Sequence, residues 1–107
     1  MILLEREIQK TIIEYLTYLE NLGKLYFFRA GSGAIKLDNG RYFKTGKPGL
    51  PDIIVLIKGM FIGLEVKTSN GKQSKIQKEA EENIKKNNGY YFIVRSIEDV
   101  ENILKLK

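Results

Sequence analysis

Residues 51–67 read PDIIVLIKGMFIGLEVK. Two apolar runs, DIIVLI (52–57) and MFIGLEVK (60–67), are separated only by Lys58-Gly59. Two such runs joined by two residues, the second a glycine, predict a β-hairpin. Both runs are apolar almost throughout, the pattern of central strands covered on two faces. Side chains alternate along a strand, so Glu65 and Lys67 share one face and Val66 takes the other. The first residue of a hairpin lies beside the last residue of its partner strand, which brings Asp52 next to Glu65. Two carboxylates and an ammonium therefore converge at the open end of the hairpin.

Neighbouring carboxylates repel unless a cation lies between them. Taken singly, an Asp before a strand is an ordinary turn residue and Glu-x-Lys an ordinary solvent-facing pair. Here the charges interrupt strands that read as central, where an unpaired charge is costly. Asp52, Glu65 and the Val66 backbone carbonyl offer hard oxygen ligands suited to Mg²⁺. A metal in such a site acidifies water for attack on phosphorus. Lys67 is then placed to orient that water or offset charge developing on phosphoryl oxygens.

Outward from the hairpin, residues 3–22 predict a helix. Leu4, Ile8, Ile12, Tyr15, Leu16, Leu19 and Leu22 recur at three- and four-residue steps, and Gly23 stops the pattern. KLYFFR (24–29) reads as a strand. Residues 30–51 form a long irregular connection in which Asp38-Asn39-Gly40 suggests a small hairpin, with Tyr42 and Phe43 either stacking on a splayed base or, the preferred reading, holding the hairpin to the core. Ser74 to Lys86 reads as a helix with Ile76, Ala80 and Ile84 on its buried stripe, followed by a strand at YYFIVR (90–95). Ser96 with Asp99 imitates a capping box for a last helix over 97–104. The expected fold is one α/β domain spanning 1–107, a mixed sheet flanked by helices in α-β-β-β-α-β-α order.

The chain has 107 residues, 18 Lys+Arg against 13 Asp+Glu, a net charge of +5, and no Cys or His. The absence of Cys and His excludes disulfides, thiolate or imidazole zinc sites, cysteine nucleophiles and Ser-His-Asp chemistry. Carboxylates, Lys and a hard metal remain. The basic balance suggests an anionic partner, nucleic acid being the commonest. The longest apolar run, Ile53 to Ile57, is too short for a membrane span, and Glu5-Arg6-Glu7 interrupts the apolar start, so an intracellular, cytoplasmic protein without a membrane partner is expected.

Pro51-Asp52, then Glu65-Val66-Lys67, resembles the core motif of the PD-(D/E)xK nuclease superfamily. The wider pattern is similar to the VRR-NUC family: Gly49-Leu50-Pro51-Asp52, the Glu-Val-Lys strand, Ser74-x-x-Gln77 opening the next helix, and Gly89 before an apolar strand ending in Arg95-Ser96. The resemblance runs from the first helix to about Val100 and implies a restriction-endonuclease-like fold. It also implies Mg²⁺- or Mn²⁺-dependent cleavage of phosphodiester bonds. Stand-alone members of this size are similar to phage and bacterial proteins related to Holliday-junction resolvases, which implies a homodimer acting on branched DNA, in a bacterial host where phage-encoded.

The resemblance further implies an acid on the first helix. Glu5, Glu7 and Glu14 are the candidates. Glu5 lies roughly 50° from the centre of the apolar stripe, the others more than about 100° away, and Glu5 is the preferred residue. Gln77 is implied to face the site, with a hydrogen bond to water, Lys67 or phosphate as its role. Arg29, Ser32, Lys36, Arg41, Lys44, Lys47, Lys72 and Lys75 flank the site in sequence and are candidates for DNA-backbone contacts, which give salt-dependent, sequence-tolerant affinity. The alternatives are a non-catalytic DNA-binding module on the same fold and an RNA-directed nuclease.

Overall fold

The first helical pattern forms α1, Glu5–Asn21. Its N-terminus is capped by Glu7, whose Oε1 accepts the Leu4 N–H at 2.9 Å, and it ends before Gly23 at φ 75°. Ile8, Ile12 and Leu16 are buried along one side, as the three- and four-residue spacing requires. Leu4 and Leu22, at the ends of the stripe, are exposed. The structure is a computed structural model that describes residues 3–30 and 33–105, and side chains outside 33–35 and 43–45.

The strands follow as β1 (Tyr26–Arg29), β2 (Gly33–Lys36), β3 (Tyr42–Thr45), β4 (Ile53–Ile57), β5 (Met60–Val66) and β6 (Tyr90–Val94). The main sheet has the order β1-β4-β5-β6. β1 and β5 both run antiparallel to β4, and β6 runs parallel to β5. A parallel pair needs a crossover, supplied by α2 (Lys75–Lys86). α3 (Ile97–Lys105) is the last element of the described residues. Counting the strands of the main sheet, the order is α-β-β-β-α-β-α, as read from the sequence.

The β4–β5 turn has both central residues at positive φ, Lys58 at 51° and Gly59 at 81°. This geometry matches the right-handed twist of the flanking strands. It sets the register Ile53↔Leu64 through Ile57↔Met60. Cross-strand partners share a face. One face therefore carries Ile53, Val55, Ile62, Leu64, Val66 and Val94, which pack with Ile8, Ile12 and Leu16 of α1 and Val100 of α3 into the core.

The other face carries Ile54, Gly63, Glu65 and Tyr91, with α2 packed beside β6. Covering of β4 on two faces is partial. Ile53, Ile54 and Val55 are buried, whereas Leu56, towards the turn, is exposed. The stripe expected to be buried on α2 is not: none of its residues is fully buried. Ile76, Ala80 and Ile84 instead line a groove of about 610 Å³ together with Pro48, Leu50 and Phe61.

The Asp38-Asn39-Gly40 reversal does form a hairpin, β2 with β3. Among the described elements it packs against no other. Tyr42 is exposed rather than in the core, and the Phe43 side chain lies outside those described. In the last capping motif, Ser96 Oγ accepts the Asp99 N–H at 3.3 Å, while Asp99 Oδ2 accepts from Arg95 N at 2.8 Å rather than from Ser96.

Candidate metal centre

The site is assembled where β4 begins and β5 ends. Pro51 lies over Gly63, where an added Cβ would stand 2.6 Å from the proline Cγ. Two residues earlier Gly49 has φ 82°, and a Cβ there would meet the Ile76 carbonyl oxygen at 2.5 Å. Only glycine fits a backbone that close to α2 with that φ. These two contacts seat the Gly-Leu-Pro-Asp segment between sheet and helix and so fix where β4 starts. Asp52 then joins its neighbours on both sides. Its carbonyl accepts the Ala30 N–H at 3.0 Å, and its Oδ2 accepts the Val66 N–H at 2.8 Å.

Glu65 sits across from Asp52, 1% exposed. Glu5, from the first turn of α1, brings a third carboxylate, and one oxygen from each of Glu5, Asp52 and Glu65 lies within 4.8 Å of the other two. Glu7 faces its own helix start, in the bond to Leu4 N, and Glu14 is exposed. Helical phase separates these acids: a two-residue step turns a side chain through roughly 200°.

Opposite the acids, one ammonium stands among the described residues. Lys67 Nζ is 3.6 Å from Glu65 Oε2 and donates to Gln77 Oε1 at 3.0 Å. Gln77 Nε2 donates to the same Glu65 oxygen at 3.2 Å. Gln77 also closes a capping box, its Oε1 accepting the Ser74 N–H at 2.9 Å and its own N–H donating to Ser74 Oγ at 3.3 Å. One amide side chain thus starts α2 and ties it to two residues of the β5 end.

Glu65 Oε1 is buried and has no hydrogen-bond partner. The carboxyl is raised to about 8, first by burial, then by the neighbouring Asp52 carboxylate, against a smaller lowering by Lys67. An orphaned buried carboxylate oxygen beside two further carboxylates and a single ammonium lacks positive charge. The donors are hard oxygens, which a divalent Mg²⁺- or Mn²⁺-like ion accepts; the residues fit such an ion. Beside them opens a cleft of about 400 Å³ lined in part by Ala30, Leu50, Asp52, Ser74 and Gln77.

Two supporting groups have no role in the sequence reading. Arg95 Nη1 donates to the Thr68 carbonyl and, at 2.9 Å, to the Gly71 carbonyl. With Lys67 N donating to the Val94 carbonyl at 3.0 Å, it holds the loop that leaves Lys67. A cation closing an apolar strand was the available signal. Gln73 Nε2 donates to Glu81 Oε1 at 3.0 Å and to Tyr91 Oη at 3.1 Å. The buried Tyr91 phenol is pushed up to about 12, chiefly by burial. No local pattern announces this bridge, since its members come from a loop, a helix and a strand.

The basic candidates are scattered. Arg29 ends β1 opposite Ile53, next to Asp52. Lys36 and Arg41 belong to the projecting hairpin, and Lys47, Lys72 and Lys75 are exposed on the segments either side of the site. The Lys44 side chain lies outside those described, and Ser32 lies outside the described residues.

No protein-family model and no curated protein matches the chain. Among solved structures, one titled a VRR_NUC domain superposes with a TM-score of 0.63 at 28% identity, covering 94% of this chain and 94% of that one. The chain has a VRR-NUC nuclease-like fold, with the mixed sheet and flanking helices of the restriction-endonuclease type.

Proposed function

We propose that residues 1–107 act as one nuclease domain, a divalent-metal-dependent DNA endonuclease that selects branched DNA such as Holliday junctions and works as a homodimer inside the cell. The observation that carries this reading is the meeting of Glu5, Asp52 and Glu65 within 4.8 Å beside a lysine held by Gln77. The homodimer follows from the substrate, since two nicks in a symmetric junction need two symmetry-related sites.

Asp52, Glu65 and the Val66 carbonyl would hold the ion, with Glu5 completing the cluster directly or through water. The ion supplies Lewis acidity and positive charge at the phosphate and lowers the pKa of water. The remaining work belongs to the chain. The Val66 N–H orients Asp52. Gln77 fixes the direction of Lys67, so the ammonium is in place before substrate arrives. Lys67 aligns an attacking water or offsets the charge that grows on the phosphoryl oxygens, and preorganisation makes such a charge effective. Basic residues around the cleft, Arg29, Lys47, Lys72 and Lys75 among them, would hold flanking phosphates without reading sequence.

The test is cleavage of a labelled four-way junction and a matched linear duplex with Mg²⁺, Mn²⁺ or EDTA. Wild type should cut only with metal, and Asp52→Asn should not cut. Cleavage in EDTA, or full activity of Asp52→Asn, would overturn the mechanism. Equal cutting of both substrates would remove the junction preference alone. Glu5→Gln should lose activity and Glu7→Gln should keep it. Light scattering at the mass of one chain would reject the dimer.

A further inference from the structure

β1 is an edge strand, and its alternating residues Tyr26 and Phe28 stay open to solvent, 60% and 43% exposed. Their ring centroids are 6.3 Å apart at an interplanar angle of 49°. Tyr26 is paired with Leu56, itself 37% exposed, so two rings and a leucine form an apolar strip on the face that carries Asp52 and Glu65. The strip leads to the acids. Phe28 is two residues from Ala30, whose N–H donates to the Asp52 carbonyl at 3.0 Å. Two residues of strand are about 7 Å.

We propose that Tyr26 and Phe28 form a stacking platform for unpaired bases of single-stranded DNA entering the candidate metal centre; the proposal rests on the nuclease reading and supplies its selectivity for branched DNA. Every base has a π face, and sheet-borne aromatics next to cationic side chains bind unpaired bases with little sequence preference. A continuous duplex keeps its π faces stacked inside and offers the rings nothing. Where strands part at a branch, bases become available.

Charge favours this occupant. Exposed Lys24 and Lys58 flank the end of the strip away from the acids; Arg29, paired with Ile53, belongs to the other face of the sheet. Apart from the acids of the metal centre at the far end, Glu20 lies along the strand, and its carboxylate accepts the Phe27 N–H at 3.0 Å. That same bond disfavours a second copy of the chain, because the mid-strand donor that edge-to-edge pairing would use is already taken. The area is also too small. Two part-exposed rings of ~150–250 Å² each fall well short of the ~800 Å² per partner of a standard interface.

The experiment measures binding in EDTA, where no metal-dependent cleavage intervenes. A single-stranded oligonucleotide carrying 2-aminopurine and a fully paired duplex are titrated with wild type, Tyr26→Ala/Phe28→Ala and the conservative Tyr26→Phe/Phe28→Tyr. Wild type should quench the 2-aminopurine. The alanine pair should lose roughly 5- to 150-fold in single-strand affinity per stacked base with duplex affinity unchanged, and the conservative pair should bind as wild type. Melting curves establish that the variants fold. Unchanged single-strand binding, or equal loss on both DNAs, overturns the platform; so does a fall in light-scattering mass of the alanine pair, which would assign the strip to a second copy. Cleavage of the labelled four-way junction with Mn²⁺ separates the two readings. Quenching without cleavage by wild type would sink the nuclease and keep the platform, and cleavage without quenching would do the reverse.

Discussion

On the face covered by α1 and α3, Ile12, Leu16, Ile62, Leu64 and Val100 are wholly buried and the cluster contains no charged member. On the face that carries α2, the same strands present Asp52 and Glu65 at one end and Leu56 and Tyr26 to solvent at the other. A residue of β5 and its next neighbour thus meet opposite environments: Leu64 and Val66 a dry core, Glu65 two other carboxylates. Burying a lone carboxylate is unfavourable, and gathering three is worse. The dry face holds the strand ends in register, and that register keeps the acids together against their repulsion.

The largest expected effect on this contrast comes from Glu65→Gln. It keeps the shape and removes the charge, so cleavage should fall by ~10³-fold or more, several kcal/mol of lost transition-state stabilisation. The metal-free melting temperature at pH 8 should hold or rise. Activity near wild type would break the division of labour between the faces. The core face should answer in the other currency: Leu16→Ala should lose about 2–5 kcal/mol of stability by denaturant unfolding, with the folded fraction retaining its turnover. A stability loss near zero would mean that α1 is not what anchors the sheet.

Gln77 tests the join between the faces. Gln77→Ala should lower activity about 10–100-fold, the usual cost of losing a group that orients a ligand, and cost about 1 kcal/mol through the helix cap. Gln77→Glu keeps an acceptor for Ser74 N–H but sets a carboxylate against Glu65, so it should recover the cap and not the activity. Recovery of both would leave Gln77 as a cap alone.

The pH dependence of the metal-free protein probes the same acidic face without a substitution. The Glu65 carboxyl is raised in the folded state from 4.5 to about 8. The folded chain therefore binds the proton more tightly than the unfolded one. The resulting stability is full below pH about 4.5, falls as pH rises towards about 8, and is flat beyond. Mn²⁺ should raise the melting temperature more at pH 9 than at pH 5, because it competes with that proton. An equal shift at both pH values would place metal binding away from Glu65.

Much of this was legible in the chain. The Lys58-Gly59 turn and the two runs around it predict register, and register alone sets Asp52 beside Glu65. The helical phase of Glu5 against Ile8 and Ile12 separates it from Glu7 and Glu14. Other features were misread for a physical reason. Ile76, Ala80 and Ile84 have the spacing of a buried stripe, yet an amphipathic face reports a capacity for burial and not the presence of a partner. Tyr42, for which the anchor is the preferred reading, is exposed because no other described element packs against the β2–β3 hairpin.

By itself, the sequence determined the elements, the hairpin register, the all-oxygen chemistry imposed by the lack of Cys and His, and the pairing of Asp52 with Glu65. These depend on periodicity, turn stereochemistry and residue type, which act over a few neighbouring residues. The tertiary structure alone decided how closely Glu5 approaches those two acids, that Gln77 bonds Glu65 as well as Lys67, that Arg95 ties down the loop after Lys67, and that Tyr26 and Phe28 stay uncovered. Each of these depends on where distant segments pack, and packing is settled by the whole core at once.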